Sequence, residues 1–179
     1  MRPPRRYRTQ RTDWKDSRTV VYRGFLDGDS DHLTFVTDAR SSKIEDLAHE
    51  PRVEICWYFP QTRDQYRIAG SMEVVGAKGE AARQAQRNAA WQRMSDNARQ
   101  QFLWPHPGLP RPDDPESDAL FEVPAPTAEE PVGDNFCLLV LEPSEVDHLS
   151  LKQNKRWRYR KAEGGGEGGP GWTEEYLNP

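Results

Sequence analysis

The chain predicts an α+β fold built on an antiparallel sheet, and three observations carry this. Runs rich in β-branched and aromatic residues recur at 18–26, 32–37, 52–59, 65–76, 135–151 and 155–161, which is the composition of strands. Short polar segments with turn chemistry, "DGDSD" and "PQTRD", join neighbouring runs. One long helical stretch, residues 79–104, interrupts the series instead of alternating with strands.

Taken in order, residues 1–17 form a basic arm with no apolar periodicity. "RTVVYRGFL" and "HLTFVT" read as a hairpin around the Asp27-Gly28 signal. "SKIEDLAHE" (42–50) reads as a short helix, capped by Ser41 or Ser42, with Ile44 and Leu47 on one face and Pro51 ending it. In "RVEICWYF", Val53, Ile55, Trp57 and Phe59 alternate with Glu54, Cys56 and Tyr58. Trp57, Tyr58 and Phe59 are expected mainly in the core. The run 65–76 is a fourth strand. In the helical stretch Trp91, Met94, Ala98 and Phe102 fall at helical spacing. Residues 110–134 hold six prolines and eight acids against one arginine, so a solvated loop is expected. Residues 135–151 read as a buried strand, a turn and a second strand; "KRWRYRK" reads as a basic-aromatic strand, and "AEGGGEGGPG" as a flexible turn.

The net charge of −4 excludes a general polyanion binder. Cys56 and Cys137 lie in separate strand-like runs without CxxC spacing. They read as reduced core residues in a reducing, cytoplasmic setting. No apolar stretch is long enough to span a bilayer as a helix, so no membrane partner is expected. The four histidines are scattered without metal-ligand spacing.

The segment "TDARSSKIEDL" carries the chemistry. A strand end feeds a turn with Thr37, Arg40, Ser41, Ser42 and Lys43, and then a helix N-terminus. The first backbone N–H groups of a helix lack intrahelical partners and carry partial positive charge, so an anion is favoured there, a phosphate monoester best. The alternative is an ordinary capped surface helix with solvated cations.

The blocks "RTVVYRGFL", "LTFVTDARSSKIEDLAHEPRVEICWYF" and "TRDQYRIAG", in this order, with "FLWPHPG" and "NFCLLVLEPSEVDHLSL" after them, resemble the pyridoxamine 5′-phosphate oxidase family. The resemblance implies a six-stranded antiparallel split β-barrel over residues 18–179 with short flanking helices, and FMN as cofactor. It implies FMN-binding roles for Arg18, Val20, Val21, Arg23, Val36, Thr37, Ser41, Ser42, Lys43, Gln65 and Arg156. Arg23 is also the substrate-side candidate. It further implies a homodimer with FMN at the interface and a small-molecule substrate.

The chain departs from that family at three places. The basic arm stands where a first barrel strand is expected, so that strand is missing or altered. Ser42 stands where the phosphate turn carries arginine, for which Arg40 could substitute. The oxidases' substrate clamp corresponds to Lys152, Asn154, Trp91, Ser95 and Arg99, none of which keeps the family residue. An FMN-dependent oxidoreductase of unknown substrate is therefore the leading expectation. The alternative is a non-catalytic or degenerate flavin binder. A nucleic-acid binder using the basic arm and "KRWRYRK" is the weakest reading. Arg18 and Arg23 are five apart, so both reach one ligand only if one lies at a strand end or bulge.

Overall fold

The computed structural model describes residues 17–26, 30–162 and 171–179. The expected basic arm lies outside the described residues except for Ser17, as do Asp27–Asp29 of the first turn and most of the glycine-rich segment. Strands β1 (Tyr22–Phe25), β2 (Leu33–Asp38), β3 (Arg52–Phe59), β4 (Asp64–Val75), β5 (Phe136–Ser150), β6 (Lys155–Lys161) and β7 (Trp172–Leu177) form one sheet. Its order is β1-β2-β5-β4-β3, with β6 on β5 and β7 on β6. Every pairing is antiparallel, as the turn chemistry predicts.

The resemblance implies six strands, and the described residues form seven. The extra one is β7, whose side chains are nearly all exposed, so no hydrophobic period announces it. It is held by its ladder to β6 and by Glu175, which lies 3.7 Å from both Arg158 and Arg160. Residues 136–150 are one continuous strand with a bulge at the position where a turn was expected. Ala69 faces Glu145 while Gly70 faces Pro143, so Ser144 is the extra residue. A bulge also tolerates the missing N–H of Pro143. Gly70 is needed there, because a Cβ on it would lie 2.1 Å from the Glu142 carbonyl oxygen.

The long strand β5 organises both faces of the sheet. On one face Leu33, Phe35, Ile68, Met72, Leu139 and Leu141 are buried together, with Tyr22, Leu47, Val53, Ile55 and Trp57 packed against them. Burying each such side chain is worth about 1.5–3 kcal/mol. The sheet curls around this core. β1 and β3 are the two ends of its pairing path, yet the Tyr22 and Trp57 ring centroids are 4.8 Å apart. No hydrogen-bonded pairing joins β1 to β3 among the described residues, so the barrel is open on that side. On the other face Val75, Leu138, Val140 and Phe136 meet the helical segment.

That segment is not one helix. It divides into α2 (Ala81–Gln92), α3 (Asp96–Gln100) and a 3-10 turn at Gln101–Leu103, with Ser95 as the cap before α3. Trp91, Met94 and Phe102 are buried against Phe136, and Ala98 packs on them, as their spacing predicts. The acidic, proline-rich loop holds one short helix, α4 (Pro115–Ala119). It is not simply solvated. Arg87 donates to the Gly133 carbonyl, Arg99 to that of Pro126, Gln100 to that of Val123, and Trp104 Nε1 to that of Phe121. Proline-rich backbone cannot pair in a ladder, so its carbonyls are satisfied by long side chains from the helices. Two core expectations also fail. Cys56 is exposed while Cys137 is buried, and Tyr58 and Phe59 are 47% and 38% exposed. Cys56 and Tyr58 lie on the outward face of β3, where the helices do not reach. Among the described residues, no helix is long and apolar enough to cross a membrane.

Candidate functional site

The turn after β2 is built by Asp38. Its carbonyl accepts from the Ser41 amide, and its carboxylate accepts from the Arg40 amide at 2.8 Å. Helix α1 (Ser42–His49) then starts with Ser41 as the N-cap, its hydroxyl accepting from the Lys43 amide. Lys43 Nζ lies 3.2 Å from that same hydroxyl, and no carboxylate pairs with it among the described residues. Thr37, buried just before the turn, faces the barrel interior opposite Cys137. Arg18, far away in sequence, reaches α1 and donates to Asp46 at 3.0 Å. The structure therefore gathers Ser41, Ser42 and Lys43 at the start of one short helix and brings Arg18 to Asp46 farther along it. Arg40, expected as a stand-in for the missing arginine, is engaged within the chain. Its guanidinium is bidentate to Asp38 at 2.9 and 2.7 Å and donates to the Trp104 carbonyl, and the Asp38 hydrogen bonds hold its pKa above the usual value.

Arg18 and Arg23 do not converge. Arg18 precedes β1, and the β1–β2 register shifts between Tyr22 and Phe25, with Gly24 at φ 104°. Val20 packs on the barrel core and Val21 is 56% exposed. Arg23 instead faces α2. It lines a cavity of about 460 Å³ between that helix, β1, β2 and β5. Its Nε is buried there with no hydrogen-bond partner among the described residues. Val36 is on this helical side too, against the Trp91 cluster, so it and Thr37 lie on opposite faces of β2.

Gln65 and Arg156 form a third group. Both are paired with Leu149, one on each side of β5, which sets them two strand spacings apart, about 10 Å. Arg156 is held by the buried Asp147, with contacts of 3.0, 3.1 and 2.7 Å, and Arg67 reaches the same carboxylate at 3.3 Å. The Arg156 hydrogen bonds, outweighing burial, hold Asp147 below the usual carboxylate range. The rest of the basic strand is similarly matched: Arg158 and Arg160 face Glu145 and Glu175, and Lys161 faces Glu142 and Asp31.

The clamp positions carried over on the helical segment also land elsewhere. Trp91 and Arg99 are 1% and 3% exposed. Arg99 is spent on the Pro126 and Met94 carbonyls and on Asp96, and Ser95 stands at the N-cap position of α3 with its carbonyl, not its hydroxyl, accepting from the Ala98 and Arg99 amides. The residues that do line the Arg23 cavity from α2 include Gln86 and Arg93, which the sequence reading missed. Their spacing of seven, with Ala89 and Ala90 between, is that of one helix face, and this was the available signal.

Comparison with known proteins places this arrangement. The family model for the pyridoxamine 5′-phosphate oxidase FMN-binding domain matches residues 8–76. A protein of Arabidopsis thaliana named pyridoxine/pyridoxamine 5′-phosphate oxidase 2 is 41% identical over 165 residues, covering 91% of this chain and 80% of the relative. This chain belongs to the pyridoxamine 5′-phosphate oxidase family. Among solved structures, an FMN-binding protein of that family from Nostoc punctiforme is 42% identical, with a TM-score of 0.80 over 90% of this chain and 80% of its own. PhzG from Burkholderia lata, at 18% identity and a TM-score of 0.67 over 92% of this chain and 75% of its own, shares the split-barrel fold. The family's cofactor is FMN, and the donors at α1 fit it. An ammonium without a carboxylate partner among the described residues, two hydroxyls and the amides of a helix first turn are what a phosphate monoester requires.

Proposed function

We propose that this family member holds FMN by its phosphate at the α1 turn and acts, as a homodimer, as an oxidoreductase on a small anionic molecule. The observation that carries this is Lys43, which sits in the first turn of a capped helix without a carboxylate partner among the described residues. Ser41, Ser42 and the first-turn amides complete the anion donors, and Arg18 buttresses the helix through Asp46. When bound, FMN supplies hydride exchange at its ring; the protein contributes orientation, exclusion of water and electrostatics. Gln65 and Arg156 lie on the outer face of the sheet beside the exposed Cys56 and Tyr58 strand face. We assign that face to the partner subunit, where Gln65 and Arg156 would complete a neighbouring flavin site. The "FCLLVL" run is buried within one chain, so dimerisation rests on the β3 face and not on that run.

The absorbance spectrum of the purified protein tests the cofactor: flavin bands that are released by heat and identified as FMN support the reading, and their absence after FMN is added in excess refutes it. Light scattering at micromolar concentration should give twice the monomer mass, and a flavin-loaded monomer contradicts the shared site. A non-catalytic flavin binder is the second reading, favoured by the burial of Trp91 and Arg99. Anaerobic reduction of the bound flavin by a substrate separates the two. The carboxylates matched to β6 argue against nucleic acid on that strand.

A further inference from the structure

The cavity between α2 and the β1–β2 hairpin has a donor set of its own. Its volume of about 460 Å³ suits a molecule of one or two rings. Arg23 enters from β1 with a buried, unpartnered Nε. Arg93, the exposed C-cap residue of α2, borders the cavity mouth, with no side-chain hydrogen-bond or ion-pair partner among the described residues. Gln86 accepts from Arg83 through its side-chain oxygen at 2.9 Å, which leaves its amide N–H groups to donate. Thr34 already donates to the Gly24 carbonyl at 2.8 Å, so toward the cavity its oxygen only accepts. Tyr22 also borders the cavity, but its ring packs on Phe35 and Trp57 in the barrel core, so the donors on the α2 side are planar: two guanidinium groups and one amide. The other walls are apolar, with Ala89, Ala90, Met94 and Leu138 among them.

A buried guanidinium N–H without an acceptor is an unmet demand for an anion. The kind of anion follows from what is absent. Apart from the Tyr22 phenol, whose ring is held in the barrel core, no hydroxyl of the described lining is free to donate, and no helix N-terminus is present. The helix end that is present is the C-terminal one, whose carbonyls disfavour a doubly charged group. A carboxylate carries one charge, lies flat and accepts from a guanidinium edge by two parallel bonds. We propose that this cavity takes a small planar monocarboxylic acid, its carboxylate between Arg23 and Arg93 and its apolar body against Ala90, Met94 and Leu138. That this acid is the substrate rests on the flavin reading above; the binding site itself does not.

The test uses the full chain loaded with FMN, titrated calorimetrically with benzoate and, separately, with phenyl phosphate, which keeps the ring and changes the anion. Benzoate is expected to bind, and to bind more tightly than phenyl phosphate. Arg93→Ala should weaken it at least tenfold, Arg93→Lys should restore part of the loss, and Gln86→Ala should weaken it less. Absence of benzoate binding, tighter binding of phenyl phosphate, or unchanged affinity in Arg93→Ala overturns the proposal. FMN affinity is read independently by flavin fluorescence. Benzoate binding without FMN binding overturns the flavin reading and leaves this site standing.

Discussion

Replacing Asp147 by Asn removes a charge while keeping the shape of the side chain that anchors Arg156. The carboxylate is 6% exposed, whereas Arg156 and Arg67 are 28% and 41% exposed. Losing one partner of a fully buried pair would cost about 3–5 kcal/mol. Here both arginines recover water, so the loss is that of charge-assisted hydrogen bonds, about 1.5–3 kcal/mol. For a chain of this size that lowers the melting temperature by about 3–12 °C. The pH dependence has a definite sign. Asp147 titrates below its ordinary value because Arg156, and then Arg67, favour the ionised form. Its contribution is therefore fully present above the unfolded-state pKa, about 3.9, and is lost only as pH falls through the lower folded value. Thermal unfolding by circular dichroism should show the same gap between wild type and Asp147→Asn from neutral pH down to about pH 5, closing only in stronger acid. A gap that closes between neutrality and pH 5, or no gap at all, refutes the assignment of Asp147 as the ionised anchor of β6.

Three further outcomes follow from the same structure. Gly70→Ala places a methyl 2.1 Å from the Glu142 carbonyl oxygen, which should destabilise the chain by about 3 kcal/mol in urea melts, at the upper end of overpacking; an unchanged midpoint would mean that the bulge relaxes freely. Lys43→Ala should weaken FMN about ten- to a hundredfold, the worth of one charge-assisted contact, while riboflavin, which lacks the phosphate, binds both proteins alike; a large riboflavin difference would show Lys43 acting on the ring or the fold. Pyridoxamine 5′-phosphate should be oxidised far more slowly than the enzyme median of about 10 s⁻¹, since Trp91 and Arg99 are buried; an oxygen-coupled assay giving a rate near that median contradicts the reading of the cavity.

Local rules were enough for the elements whose signal lies in adjacent residues. Ser41 caps α1 and Pro51 follows its end, because capping is a contact across two or three positions. The alternation of Val53, Ile55 and Trp57 against Glu54 and Cys56 set the faces of β3, because pleating inverts every residue. The same periodicity could not say whether the second face would be covered. Only the packing of α2 on β5 and the far half of β4 decided that, which leaves Cys56 and Tyr58 exposed while Cys137 is buried. Charges were legible as residue types but not as partners. The fold commits Arg40 to Asp38 and the Trp104 carbonyl and Arg99 to the Pro126 carbonyl, and it orients Arg156 through Asp147, pairings that residue type alone does not announce. Lys43 finds no carboxylate among the described residues, and Arg23 and Arg93 border one cavity, because strand register and helix rotation, set by the buried core, choose which long side chains find a carboxylate and which face open space.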